Sequence, residues 1–292
     1  MATMAQTIAA PEWPTTAPRS NTPGLTPEQI EFWEENGYLG PLTLCTPEEM
    51  ADLREWIDRE GFLSRPSPIY GTRPRGQRVL REWHLVYSRM HWLCTHPVVA
   101  AAMGSIFGPD LMLWRSQFMA KEPRSRVPVA WHQDLGFPGA LMRPALNPVK
   151  NISAWIAIDP ADIDNGCVWV VPGTHKKKIE VRMSKAGPNE LGLFGRQYKL
   201  EYIYDVSSAV PMVLEPGQFF LFNESTLHGS PPNPSPRRRN GIAVRVTTPD
   251  VKVYEGQTQD GQAFDLAKWA CVMMSGEDRF GVNKVIEPEF IY

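Results

Sequence analysis

Seven short runs rich in β-branched and aromatic residues, all beyond Asp110, restrict this chain more than any other feature. They are LMLWRSQFMA, VPVAWH, ISAWIAI, CVWVV, MVL, QFFLF and IAVRVTT, separated by Pro, Gly, Asn or Asp. Short runs between turn residues read as strands. At Glu215-Pro216-Gly217 the proline presets the backbone and the glycine permits positive φ, which gives a tight turn between two runs. The pattern predicts an antiparallel barrel or sandwich. No internal repeat is evident, and the strands interleave too closely for a second domain boundary.

Before Asp110 the period is helical. Thr26-Pro27-Glu28-Gln29 offers a capping hydroxyl, a proline for the first helical position and a glutamine three residues on. The helix it starts is expected to stop at Gly37. Thr46-Pro47-Glu48-Glu49 repeats the signal, and Met50, Leu53, Trp56 and Ile57 then share one face until Gly61. A third helix is expected from Pro97 to Gly108. Residues 1–24, dominated by Pro, Thr, Ser and Ala, read as a loosely ordered tail. Residues 25–292 then form a single domain, mainly β with flanking helices. Within it, residues 176–210 make a long strand connection, either a lid over a site or a packed surface excursion.

A net charge of −2 and a pI near 6.3 provide no basic field for nucleic acid or anionic lipid, so a small-molecule partner is expected. Oligomeric state cannot be read from the sequence. Cys45, Cys94, Cys167 and Cys271 lie far apart without a C-x-x-C pair and are expected to be free thiols. The N-terminus lacks the basic and apolar regions of a signal peptide, and no stretch reaches the roughly 18 apolar residues of a membrane span. These features predict a cytoplasmic protein.

In Trp131-His132-Gln133-Asp134, the histidine and the acid are two residues apart, so on a strand they point to the same face. Two histidines and a carboxylate form the ligand face of non-haem Fe(II) oxygenases, leaving adjacent positions open. Alone the motif means little, because acids occupy 32 of 292 positions and His132 by itself reads as an ordinary core or surface histidine. His228, in Thr226-Leu227-His228-Gly229-Ser230 after the run QFFLF, supplies a second candidate from another strand end. Eleven residues later, Arg239 opens the last β-rich run. A planar guanidinium suits the distal carboxylate of 2-oxoglutarate while the keto-acid end chelates the metal. Arg237 and Arg238 read instead as a solvated basic turn. His175 reads as a turn residue, and His84, His91 and His96 lie in helix and loop.

At these residues the chain resembles the phytanoyl-CoA dioxygenase-like family of Fe(II)/2-oxoglutarate oxygenases. The resemblance rests on Trp131-His132-Gln133-Asp134, Ala154-Trp155-Ile156-Ala157, Asn165-Gly166-Cys167, Val171-Pro172-Gly173-Thr174-His175 and His228-Gly229-Ser230 with Asn233, Ser235 and Arg239. It implies a double-stranded β-helix, the cupin-like jelly-roll barrel. It also implies that His132, Asp134 and His228 hold the iron and that Arg239 anchors 2-oxoglutarate, assisted by Ser230, Gln117 and Trp155. Some relatives are halogenases with a small residue at the carboxylate position; Asp134 disfavours that chemistry here. No basic cluster matches a coenzyme A pocket, so acyl-CoA specificity is not expected.

The reaction expected from Fe(II), 2-oxoglutarate and O2 is hydroxylation of an unactivated C–H bond with release of succinate and CO2. The substrate would be an amino-acid derivative or natural-product intermediate, in keeping with secondary metabolism. Desaturation, cyclisation or epoxidation with the same cofactors is the nearest alternative, and a non-catalytic cupin-like binding protein is the alternative of another class. Candidate substrate-facing residues are Trp83, His84, Leu135, Phe137, Met142 and Arg143, with Phe194, Arg196 and Tyr198 on the long connection.

Overall fold

The computed structural model describes residues 22–61, 80–134, 142–144, 150–177, 179–185, 198–253 and 269–290. Helix α1 (Pro27–Asn36) and helix α2 (Pro47–Glu60), on either side of strand β1 (Tyr38–Thr43), both start in capping boxes. Thr26 Oγ1 accepts from the Gln29 amide at 3.3 Å while Gln29 Oε1 accepts from the Thr26 amide at 2.9 Å. Thr46 and Glu49 repeat the exchange at 3.2 and 2.8 Å. Gly37 ends α1 at φ 76°, where an added Cβ would meet His175 and Thr226. Helix α3 (Ser88–Cys94) and helix α4 (Pro97–Phe107) follow. The sequence announced α4 through Pro97 and Gly108; α3 has no side-chain cap at Tyr87 and went unpredicted.

The strands that follow are β2 (Leu111–Lys121), β3 (Val129–His132), β4 (Met142–Pro144), β5 (Asn151–Ala157), β6 (Val168–Val170), β7 (Glu180–Lys185) and β8 (Tyr198–Ile203). They continue as β9 (Val210–Met212), β10 (Gln218–Asn223), β11 (His228–Ser230), β12 (Arg239–Thr247), β13 (Val251–Val253) and β14 (Val272–Ser275). One sheet runs β1-β10-β5-β12-β2-β14 and the other β3-β11-β6-β9, with the described strand pairs antiparallel. This is the expected mainly β jelly-roll architecture, with helices packed on one side.

The large sheet is covered on both faces, which explains why β5 is buried at every position and why ISAWIAI shows no polar alternation. Its outer face packs Phe118, Ile156, Ile242 and Val244 against Leu53, Trp56, Leu93 and Met103 of the helices. The inner face carries Trp155, Phe220, Phe222 and Ala243 against Val168 and Val170 of the small sheet. Register sorts β12 cleanly. Arg239, Gly241, Ala243 and Arg245 alternate onto the inner face, opposite Lys121, Met119, Gln117 and Arg115 of β2.

The four cysteines are buried and free. Among the described residues, no helix is long and apolar enough to cross a membrane. In the long connection, β7 and β8 pair as a hairpin, and Tyr202 packs with Val171, Ile179 and Leu227. Strand β7 is largely exposed, with Tyr202 as the buried anchor of the hairpin; residues 186–197, including Phe194 and Arg196, lie outside the described residues.

Arg237 and Arg238 are not merely solvated. Arg237 forks onto Asp162 at 2.8 and 3.1 Å. Arg238 reaches both Asp58 and the buried Asp159, which also accepts from Arg54 and from the Asn240 amide. These pairs tie the start of β12 to α2 and to the turn after β5.

Candidate metal centre

Strand pairing brings the three ligand candidates together. His228 on β11 is the register partner of His132 at the end of β3, and their rings lie 4.2 Å apart between centroids. Asp134 follows two residues later, its amide donating to the Glu224 carbonyl at 2.8 Å. Gln133 between them donates to the Ser225 carbonyl at 2.5 Å and its own carbonyl accepts from the Tyr202 hydroxyl at 3.3 Å. One potential ligand atom from each of His132, Asp134 and His228 lies within 4.8 Å of the others.

The hydrogen bonds fit these side chains to a metal. His132 Nδ1 donates to the Ala130 carbonyl at 2.8 Å, and His228 Nδ1 to the Thr226 carbonyl at 2.9 Å. A proton on each Nδ1 leaves Nε2 as the lone-pair nitrogen, the tautomer a metal needs. Burial, with His132 beside it, pushes the His228 imidazole down to about 3, so it stays neutral. Burial would raise the Asp134 carboxyl, but Arg245 and then the two histidines hold it below the usual carboxylate range. Two neutral imidazoles and a carboxylate make the donor set that suits Fe(II).

Arg239 is a buried cation short of partners. It is 2% exposed, Nη2 donates to the Met119 carbonyl at 3.3 Å, and among the described residues Nε has no hydrogen-bond partner. Its guanidinium carbon lies 5.1 Å from the centre of the Trp155 ring. Burial pulls its pKa down to about 10, and it stays charged at neutral pH. Such a group is completed by an anion such as a carboxylate. Lys121, opposite Arg239 in register, is buried too and donates to the Ser230 and Pro231 carbonyls. Ser230 shares the strand face of His228, and Gln117, Ala243 and Trp155 are cross-strand neighbours on the inner face.

Gly241 makes room for the Trp155 ring. A Cβ there would fall 2.2 Å from Trp155 Cζ2, and the ring is wedged between Arg239 and the core. Gly241→Ala should displace the ring and weaken 2-oxoglutarate binding by about tenfold, consistent with the ~1–3 kcal/mol of overpacking in a tight core. Titration of the cosubstrate, with a thermal melt alongside, checks this. An unchanged affinity would mean that Trp155 plays no part in the anchor.

Three residues escaped sequence reasoning. Arg245 grips Asp134, with Nη2 to Oδ1 at 3.1 Å and Nε to Oδ2 at 3.3 Å. Its signal was present, since it lies six residues beyond Arg239 and so shares its strand face. Lys121 and Glu224 carried no pattern of their own. Glu224 is 4% exposed and hydrogen-bonded by Asn151, and burial raises its carboxyl from 4.5 to about 8. The folded chain therefore keeps a proton that the unfolded chain releases. This contribution to stability is intact at low pH and is lost as pH rises from about 4.5 to about 8. Melts of the metal-free protein should show Glu224→Gln gaining on the wild type over that window; parallel pH profiles would refute the shift.

Trp83 and His84 correct an expectation. They pack in the main core, at 1% and 0% exposure, with Trp83 against Tyr87 and His84 Nδ1 2.7 Å from Ser116 Oγ. Ser116 is on the outer face of β2, so both residues turn towards the helices and away from the metal candidates. His175 donates to the Glu34 carbonyl and His96 caps α4, as non-ligand roles require. Leu135 and Phe137 lie outside the described residues. Met142 and Arg143 belong to β4, paired with β13, and Tyr198 opens β8; their side chains are outside the described set.

Comparison with known proteins agrees with this geometry. Residues 33–241, more than half of the chain, match the family described as phytanoyl-CoA dioxygenase. A dioxygenase of Epichloe uncinata, lolE1, is 28% identical over 249 residues, covering 78% of this chain and 84% of that protein. The methylphosphonate hydroxylase of Gimesia maris is 26% identical over 275 residues, covering 89% and 94%. Among solved structures, CytC3 with Fe(II) and alpha-ketoglutarate superposes with a TM-score of 0.70 at 28% identity, covering 91% of this chain and 95% of that one.

Proposed function

The chain belongs to the phytanoyl-CoA dioxygenase family and is a non-haem iron dioxygenase dependent on Fe(II), 2-oxoglutarate and O2; from this premise we propose that it hydroxylates an unactivated C–H bond of a small molecule. In the proposed site, His132, Asp134 and His228 hold the iron and Arg239 anchors the cosubstrate. The observation that carries this reading is the convergence of the three ligand atoms within 4.8 Å, with both histidine protons committed to backbone carbonyls.

Bound iron and 2-oxoglutarate supply the oxidising power: substrate, 2-oxoglutarate and O2 give hydroxylated substrate, succinate and CO2. The remaining work falls to the chain's own residues. Arg239 takes the distal carboxylate through its charged fork, and Trp155 holds the guanidinium in place. Ser230 from the small sheet and Gln117 from the inner face of the large sheet supply a hydroxyl and an amide for the rest of the cosubstrate. Phe220 and Phe222 make this side of the site apolar, which strengthens each charged contact. The proposed substrate is an amino-acid derivative or natural-product intermediate, and the similarity to a methylphosphonate hydroxylase, named for a small molecule, favours a small substrate.

The test is a screen of candidate small molecules for stimulated succinate release, followed by the product's mass. Gain of one oxygen supports hydroxylation. Loss of two hydrogens would replace it with desaturation or cyclisation at the same centre.

A further inference from the structure

We propose that Arg245 is a positioning residue that limits Asp134 to one-oxygen ligation of the iron, keeping the neighbouring coordination positions for the cosubstrate and O2. The inference rests on the assignment of Asp134 as an iron ligand in the proposed function.

Its first support is the way the two side chains meet. Both carboxylate oxygens are engaged, Oδ1 by Nη2 at 3.1 Å and Oδ2 by Nε at 3.3 Å. A guanidinium that contacts both oxygens side by side lies along the edge of the carboxylate where lone pairs from the two oxygens converge. Chelation of a metal through two oxygens needs that same edge. With Arg245 in place, a metal is left with the outer lone pair of a single oxygen. Oδ1, 3.7 Å from His132 Nε2, is on the side of the histidine ligands.

A second support is how the surroundings reserve Arg245 for this task. Its register partner on β2 is Arg115, the nearest other guanidinium on that strand level. Arg115 is held by Glu82, at 3.6 Å, with both side chains at most 1% exposed. Glu82 reaches it from a left-handed backbone conformation, φ 59°, and also accepts from the Ser116 amide at 3.1 Å. Each of the two adjacent arginines thus has its own carboxylate. The β2 strand bulges at this level, because Arg245 opposes Arg115 while Val246 opposes Leu113. Bulges re-aim side chains next to functional sites.

Third, Arg245 is on the strand that carries the cosubstrate anchor. Arg239 and Arg245 are on one face of β12, about 20 Å apart along the strand at ~3.3 Å per residue. A single rigid, fully paired strand therefore orients the cosubstrate at one end and the ligand carboxylate at the other.

The expected consequence is specific. Freed from Arg245, Asp134 can turn its edge to the iron and occupy a position that the keto acid needs. The experiment is an anaerobic titration of Fe(II)-loaded full-length protein with 2-oxoglutarate, followed by the visible metal-to-ligand charge-transfer band, for wild type, Arg245→Gln and Arg245→Lys. Arg245→Gln should need about ten times more 2-oxoglutarate, or more, to reach half of the band, in line with the 10–100-fold effects of groups that orient metal ligands. Arg245→Lys restores the charge without the fork, so it should recover the melting temperature but not the cosubstrate requirement. A half-point for Arg245→Gln within twofold of the wild type, or complete rescue by lysine, would overturn the proposal and leave Arg245 as simple charge compensation. If Arg245→Gln does not fold, the lysine variant alone decides. Absence of the band in the wild type would instead refute the oxygenase assignment of this site.

Discussion

Replacing Arg239 with alanine should raise the 2-oxoglutarate concentration for half-saturation by about a hundredfold or more. The side chain is 2% exposed, stacks on Trp155 and leaves Nε unsatisfied until an anion arrives. Hydrogen bonds to charged groups contribute ~1.5–3 kcal/mol each, and a two-pronged carboxylate contact makes two of them. Arg239→Lys should recover only part of the loss, since an ammonium keeps the charge but not the fork. Cosubstrate titrations of the three proteins check this. Equal affinities would mean that 2-oxoglutarate is anchored elsewhere.

His228→Ala should cut the single-turnover rate at a fixed, limiting Fe(II) concentration by about a thousandfold or more, equivalent to ~4 kcal/mol. His228 is buried, neutral and pinned through Nδ1 to Thr226, so its Nε2 is a ready-made donor that no neighbour replaces in the same geometry. The metal-free variant should melt close to the wild type, because the ring is removed from a site already lined by Phe222 and His132. A large drop in melting temperature without metal would mean that His228 acts mainly in the fold. Retained turnover would remove it from the ligand set.

Parts of this structure were legible for identifiable reasons. Both capping boxes and the apolar face of α2 formed as Thr26, Thr46 and the spacing of Met50, Leu53, Trp56 and Ile57 predicted, because these signals are local. Six of the seven β-rich runs became strands for the same reason, while of MVL only Met212 falls within β9; the alternation of the last run placed Arg239 on an inner face. Strand β1 was missed because YLGPLT carries both Gly and Pro, and it forms only through pairing with β10. Trp83 and His84 turn inward to the core against expectation because a single 3-10 turn has no periodicity to say which face it presents. The clamp of Arg245 on Asp134 joins residues 111 apart, and only the register of β12 brings them together. Arg237 and Arg238 look like a basic turn until α2 and the turn after β5 deliver Asp58, Asp159 and Asp162 to them. What the sequence left open was pairing across distance, and the site is built from such pairings.

His132, Asp134 and His228 are expected to hold an iron to which 2-oxoglutarate binds. Anaerobic addition of Fe(II) and 2-oxoglutarate to the wild type and to His228→Ala, followed by visible absorption, tests it most directly. The wild type should develop a charge-transfer band that saturates at one equivalent of iron, and His228→Ala should not. No band in the wild type, or an undiminished band in His228→Ala, would contradict the account.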